Sequence, residues 1–428
     1  MEALKKKGDS TNLVFFIPHG NVRVCILGLE DRPSTSEELE EMKKIVEKEM
    51  EMGAFGLSTG LVYPPGSITP TYEIIELCKV VNNYGGLYDT HMRNEGTRII
   101  EQGIREVIEI AKNSNVRAHI SHLKTVSKFA WKYTPDIINL IKNVKEEQGI
   151  FLHADLYPYE ESSTSLSGIL LNPWVYDDFE QNLTNSEARK KIVAEILEMI
   201  FSTFLSDLPF IIRIIPKFLM KKLIFSSFKK DIRIISVLKN HHIEGKFLGE
   251  ALKILYPKRS FYDAVLDFIR DEEGSIMISI RQMSEEKSIL SLFKQDFVCV
   301  GSDGFLVIEG NTHPRSYGTF PRILSRYVRE KQIVSLEEAI RKMTSLPASI
   351  LRLRDRGIIK QNYKADLVIF DPQTIRDNST YENGRQYPEG IDYVIVNGKI
   401  TVAKGEHLGV LNGQILKHEK MRKSNNHN

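Results

Sequence analysis

Three runs between residues 53 and 124 decide the fold: GAFGLSTGLVYPPGS (53–67), YDTHMRNEG (88–96) and AHISHLK (118–124). In the second and third, a short apolar run closes on a histidine, His91 and His122, and polar residues follow. One helix-length segment lies between them. A parallel barrel places its ligands in this way: each strand ends, its last side chain points into the mouth, and the chain returns through a helix.

The same rhythm extends outward. Residues 12–17 (NLVFFI) are β-branched and aromatic and stop at Pro18-His19-Gly20, a buried strand followed by a loop. Thr35-x-x-Glu38 is a capping box that opens a helix with Leu39, Met42, Ile45, Val46 and Met50 at apolar positions, and Gly53 stops it. Strands are expected over 54–60, 86–91, 116–122 and 150–157, with helices between them, one of them over about 97–113. A period of roughly 30 residues is what βαβ units require. Residues 165–275 break the rhythm and read as a helical insertion. SIMISI (275–280) and FVCVGSDG (297–304) resume the strand order, and Ser335-x-x-Glu338 caps a later helix. ADLVIFDP and YVIVNGKI, within 364–401, read as a small all-β unit. The expected division is a barrel over 1–345, a β-subdomain over 346–416 and a disordered polar tail over 417–428.

Composition narrows the partners. The chain has 428 residues and a formal net charge of +2, so nothing calls for nucleic acid or an anionic membrane surface. Cys25, Cys78 and Cys299 are odd in number and far apart, which suggests a reducing, cytoplasmic setting rather than a disulfide framework. The apolar run 13–17 is too short for a signal segment, and Asp207, Arg213 and Lys217 interrupt the apolar stretch 200–228.

Neutral imidazole is a good zinc ligand. Read singly, either histidine is more readily a structural residue; two at adjacent strand ends change that balance. His119, three residues before His122, would face the other way on a strand and is the weaker candidate. Asp303, after the apolar run FVCV, could take and return a proton beside a metal, or simply cap its turn. Arg315 offers a guanidinium suited to grip a carboxylate, or is an ordinary surface arginine. Tyr63, Tyr157 and Ser163 could add hydrogen bonds at the same mouth, or serve packing and loops. His241 and His242 read as solvated, and the lysines at 217, 221, 222, 229 and 230 as the wet face of helices. No phosphate loop, dinucleotide fingerprint or CxxC is present.

Taken together and in order, GLYDTHMRNEG, ISHLK, DLYPYEESSTS, VGSDG, HPRSYGTFPR, LEEAIRKMTSLPAS, ADLVIFDP and GIDYVIVNG resemble the D-aminoacylase (N-acyl-D-amino-acid deacylase) family of the amidohydrolases. The likeness covers residues 12–164 and 275–412. It implies a distorted (β/α)8 barrel with a small β-subdomain, and hydrolysis of N-acyl-D-amino acids to a carboxylate and a D-amino acid. It implies that His91 and His122 ligate one tightly held zinc ion and that Asp303 is the catalytic acid/base. Arg315, Tyr157 and Ser163 match the groups that hold the substrate's α-carboxylate, and Tyr63 matches a substrate-site tyrosine. The family's His-x-His and its following zinc-binding cysteine have no counterpart, since Cys25 lies past the matching place. On that reading the first two barrel strands are absent, and a second ion lacks its ligands. Three readings follow: a zinc deacylase with a truncated N-terminus; another amidohydrolase, such as a dihydropyrimidinase-like amidase or a dipeptidase; or an inactive remnant or half that pairs with a separately encoded N-terminal piece.

Overall fold

Strands β1 (Ile17–Pro18), β2 (Gly56–Gly60), β3 (Leu87–His91), β4 (Arg117–Ile120) and β5 (Leu152–Leu156) pair in parallel, in chain order. The computed structural model describes residues 2–207, 228–305, 307 and 309–419. Each strand returns through a helix that the sequence signals. Ser36–Glu51 carries the full Thr35–Glu38 capping box and buries Leu39, Met42, Val46 and Met50. Thr71–Asn83 buries Ile74, Leu77, Cys78 and Val81. The third connection differs from a plain helix over 97–113: a π-turn, Ile99–Ile104, precedes Arg105–Ser114. Gly103 permits it, because a Cβ there would lie 2.5 Å from the carbonyl oxygen of Asn94. Thr134–Gln148 has proline in its first turn and stops at Gly149 in the left-handed region.

Of NLVFFI only the last residue joins the sheet. Leu13 instead bridges Ile415 near the far end of the chain.

The insertion departs from expectation. β6 (Ser162–Ser165), β7 (Ile232–Val237) and β8 (Ile276–Ile280) form a separate antiparallel sheet, in the order β6-β8-β7. SIMISI therefore does not resume the parallel sheet, and 165–275 is not purely helical. Ile276 and Ile278 are buried on one face of the strand, while Met277 between them is only partly buried. That face joins Ile232, Ile234, Leu166, Leu266 and Phe268 in a second apolar core. The apolar run FVCV does rejoin the parallel sheet, as β9 (Val298–Val300) beside β5. The lysine positions 217, 221 and 222, and most of 200–228, lie outside the described residues.

β10 (Leu367–Phe370), β11 (Ile391–Val396), β12 (Lys399–Ala403) and β13 (Glu406–His407) form an antiparallel sheet of their own. Asn12 ties it to the start of the chain, donating to Asp366 at 2.9 Å and accepting from Asn397 at 2.7 Å. At the start of the expected tail, His418 N–H donates to the Gly53 carbonyl at 3.0 Å, and its ring packs edge-on against Phe55. Residues 420–428 lie outside the described residues. No helix among the described residues is long and apolar enough to cross a membrane.

Candidate active site

The two faces of the parallel sheet differ sharply. Leu57, Tyr88, Ala118, Ile120, Leu152, Ala154 and Val298 join the main core beneath the helices. The alternate residues Ser58, Asp89, His119 and His153 are register neighbours across β2 to β5, so a polar row crosses the other face. His119 belongs to this row, not to the strand-end cluster. Its Nε2 meets Asp155 Oδ2 at 2.9 Å; His119 is buried and Asp155 partly so. Burial works against both charges, yet the pairing prevails: His119 is raised and Asp155 lowered from their ordinary values.

Above this row sit the strand ends. His91 is the last residue of β3, and its carbonyl accepts from Leu61 N–H at 3.0 Å. His122 lies two residues past β4, not on it, with φ at 40° in the left-handed region. That conformation is uncommon for a residue with a Cβ. Asp155 holds it: Oδ1 accepts the His122 N–H at 2.8 Å, and the Asp155 carbonyl accepts Leu123 N–H at 2.7 Å. Gly301 leaves room for this carboxylate, since a Cβ there would fall 2.6 Å from Asp155 Oδ1. One partly buried side chain thus packs between the ends of β4, β5 and β9.

The consequence is a pair of facing imidazoles. His91 Nδ1 and His122 Nε2 are 3.0 Å apart. Two zinc–nitrogen bonds of ~2.0–2.1 Å meeting at a tetrahedral angle span about 3.3 Å, so this spacing fits a shared ion. Burial, reinforced by His122 and Lys124, pushes the His91 ring down to about 3 and keeps it neutral, as a ligand must be. Glu95 lies behind both rings, against their other nitrogens: Oε1 is 3.3 Å from His122 Nδ1, and Oε2 is 3.8 Å from His91 Nε2. Lys124 donates to Glu95 Oε1 at 2.9 Å and lies 2.9 Å from His122 Nδ1. Burial pushes the Glu95 carboxyl up, but Lys124 and the imidazoles overcome it and hold it far below the usual range. Although Glu95 stands close enough to be counted with the histidines as a metal-binding group, its atoms face the nitrogens turned away from the shared gap. It is placed as an orienting carboxylate.

The remaining expected residues converge on the same place. Tyr63, His91, His122, Tyr157, Ser163, Asp303 and Arg315 all line one cavity of about 1010 Å³. Tyr63 packs its ring 5.2 Å from that of His91 and bonds Thr164 through its hydroxyl at 3.1 Å. Tyr157 bonds Ser162 at 3.1 Å. Ser163 meets Arg315 through its carbonyl, which accepts from Nη2 at 3.2 Å. Arg315 is no surface residue: its side chain is 1% exposed, stacks over the Tyr157 ring and pairs with Asp303 Oδ2 at 2.8 Å. Glu95, Lys124 and Asp155 were not singled out from sequence. The available signal was charge inside otherwise apolar strand ends, four residues after His91 and two after His122.

Comparison with known proteins agrees with this architecture. The family model described as "Amidohydrolase family" matches residues 289–402. Relatives extend this likeness to nearly the whole chain and support a hydrolase acting on amide bonds. It is 29% identical over 418 residues to a D-aminoacylase of Alcaligenes xylosoxydans xylosoxydans, covering 97% of this chain and 72% of that one. It is 27% identical to an N-acyl-D-aspartate deacylase of the same organism, covering 97% and 70%. Among solved structures it is similar to an N-acyl-D-glutamate deacylase of Bordetella bronchiseptica complexed with zinc and a phosphonate inhibitor. That match has a TM-score of 0.75 and 25% identity, over 97% of this chain and 74% of the other.

Proposed function

We propose that this amidohydrolase cleaves the amide bond of N-acyl-D-amino acids, using zinc held by His91 and His122. The observation that carries the reading is one cavity holding two facing imidazole nitrogens, an acid (Asp303) and a buried guanidinium (Arg315). Similarity to D-aminoacylase and to the zinc-complexed deacylase supports the acyl-amino-acid class. When bound, zinc supplies Lewis acidity toward the amide carbonyl and acidifies a water. Arg315 binds the substrate carboxylate: its Nε and Nη1 are buried without a hydrogen-bond partner, which leaves charged N–H donors for it. Tyr157 stacks beneath the guanidinium and fixes its plane. Asp303 takes one proton from the attacking water and gives it to the amide nitrogen. A C–O bond forms, the C–N bond breaks, and a carboxylic acid and an amine leave.

The cavity wall also speaks to the side chain. Of the other cations lining the cavity, Arg93 is committed to Glu106 through Nε and Nη2 and Lys124 to Glu95, while Arg98 is exposed. Val62, Ile169, Leu171, Met277, Met283 and Phe305 supply apolar surface. A neutral side chain therefore fits better than an acidic one. The test is release of free amine from N-acetyl-D-leucine, its L-enantiomer and N-acetyl-D-glutamate by the zinc-loaded chain. Turnover is expected in the order D-leucine, D-glutamate, L-leucine. No turnover of any D-substrate, or faster turnover of the L-form, overturns the proposal.

A further inference from the structure

Arg315 and Asp303 are each needed at the substrate, yet here they face each other. The Asp303 carboxylate lies 2.8 Å from Arg315 Nη1, but off the N–H axis, so Nη1 makes no hydrogen bond and neither does the adjacent Nε. Only Nη2 is satisfied, by the Ser163 carbonyl. The guanidinium cannot turn away, because it is buried and stacked on Tyr157. Asp303 can: its side chain is 31% exposed, it follows β9 by three residues, and its φ of 47° sets it on a turn. The fixed partner is the cation and the movable one is the acid.

We propose that the substrate's α-carboxylate displaces Asp303 from Arg315, so that binding the correct substrate is what frees the catalytic carboxylate. This rests on the deacylase reading above. A ligand carboxylate that meets Nη1 along an N–H axis forms an aligned charged hydrogen bond, where Asp303 makes an off-axis contact. Asp303, once released, keeps its negative charge in the cavity and can accept a proton. An N-acyl compound lacking the carboxylate binds without releasing it. Arg315 thereby discriminates in kcat as well as in KM, a form of induced assembly of the site.

The test compares N-acetyl-D-leucine with its carboxamide, using the zinc-loaded wild type and Arg315→Ala. In the wild type the carboxamide should lose at least tenfold in kcat in addition to weaker binding. In Arg315→Ala the acid should lose roughly 10- to 100-fold in kcat/KM, while the carboxamide should turn over faster than in the wild type. A carboxamide rate that is unchanged or lower in Arg315→Ala overturns the proposal. If that variant does not fold, Arg315→Gln, which fills the space without charge, gives the same comparison. A second readout does not need turnover. With carboxyl-13C aspartate, the Asp303 resonance, assigned by its loss in Asp303→Asn, should shift when N-acetyl-D-leucine is added and stay put with the carboxamide. A shift with both ligands or with neither sinks the exchange. Absence of hydrolysis alone counts against the deacylase reading and leaves this spectroscopic result to decide.

Discussion

Glu95 shows how much a single residue sets at this site. It lies 3.3 Å from the outward nitrogen of His122 and 3.8 Å from that of His91, so one negative charge stands behind both rings and favours a cation in front of them. Glu95→Gln should weaken zinc binding about 10- to 100-fold, read by competition with a chromophoric chelator. Unchanged affinity would mean that Glu95 serves only Lys124. Asp155 works one step further out, by holding the His122 backbone. Asp155→Ala should weaken zinc binding about tenfold, since a left-handed residue costs roughly 1–2 kcal/mol once its N–H loses its acceptor. Asp155→Asn keeps the Oδ1 acceptor and should retain most of the affinity in the same chelator competition. At this scale the histidines and Asp303 were legible because each closes an apolar run. Glu95, Lys124 and Asp155 were not, because their roles depend on which buried neighbour each one meets.

Elements bring these residues together, and their junctions carry the stability. At the end of β1, Glu73 accepts from His19 at 2.9 Å, from Arg23 at 2.6 Å and from Ser34 at 2.8 Å, and the His19, Arg23 and Glu73 side chains are fully buried. The network pins the helices His19–Leu27 and Thr71–Asn83 to each other. Burial raises the Glu73 carboxyl, but its three donors outweigh that and leave it below its ordinary 4.5. A carboxyl lowered on folding stabilises the chain above its ordinary value, and that contribution fades as pH falls through the folded value. Urea unfolding should therefore show stability falling below pH 4.5. Glu73→Gln should be less stable at pH 7 by about 3 kcal/mol, because Arg23 is left buried and unpaired, and should show a shallower acid-side decline. An acid-side decline as steep as the wild type's would assign the pH dependence to other groups. Helix starts were readable here, since Thr35–Glu38 and Ser335 cap where expected. The pairing of SIMISI was not, because alternation defines a half-buried strand without naming its partner.

At the scale of the whole molecule, the described residues form two large apolar cores. One lies between the parallel sheet and its helices, and the other fills the region carrying β6, β7 and β8. They share the cavity, whose wall draws Leu171 and Ile280 from the second and the strand ends carrying His91 and His122 from the parallel-sheet side. Phe268 is fully buried in the second core. Phe268→Ala should destabilise that core by about 3–5 kcal/mol and speed its backbone hydrogen exchange. Zinc affinity should hold, because His91, His122, Glu95 and Asp155 all belong to the parallel-sheet side. A matching loss of zinc affinity would show that the cores unfold as one unit.

The sequence by itself determined the parallel alternation, the helix caps, and the two histidines and one aspartate at strand ends. Each of these is a local signal, set by side-chain period, turn chemistry and the stopping of an apolar run. Only the tertiary structure decided which ring nitrogens face each other, that Glu95 stands behind them, and that Arg315 is held against Asp303. Those facts depend on distances between residues remote in the chain, and burial makes such contacts strong enough to reset charge and tautomer.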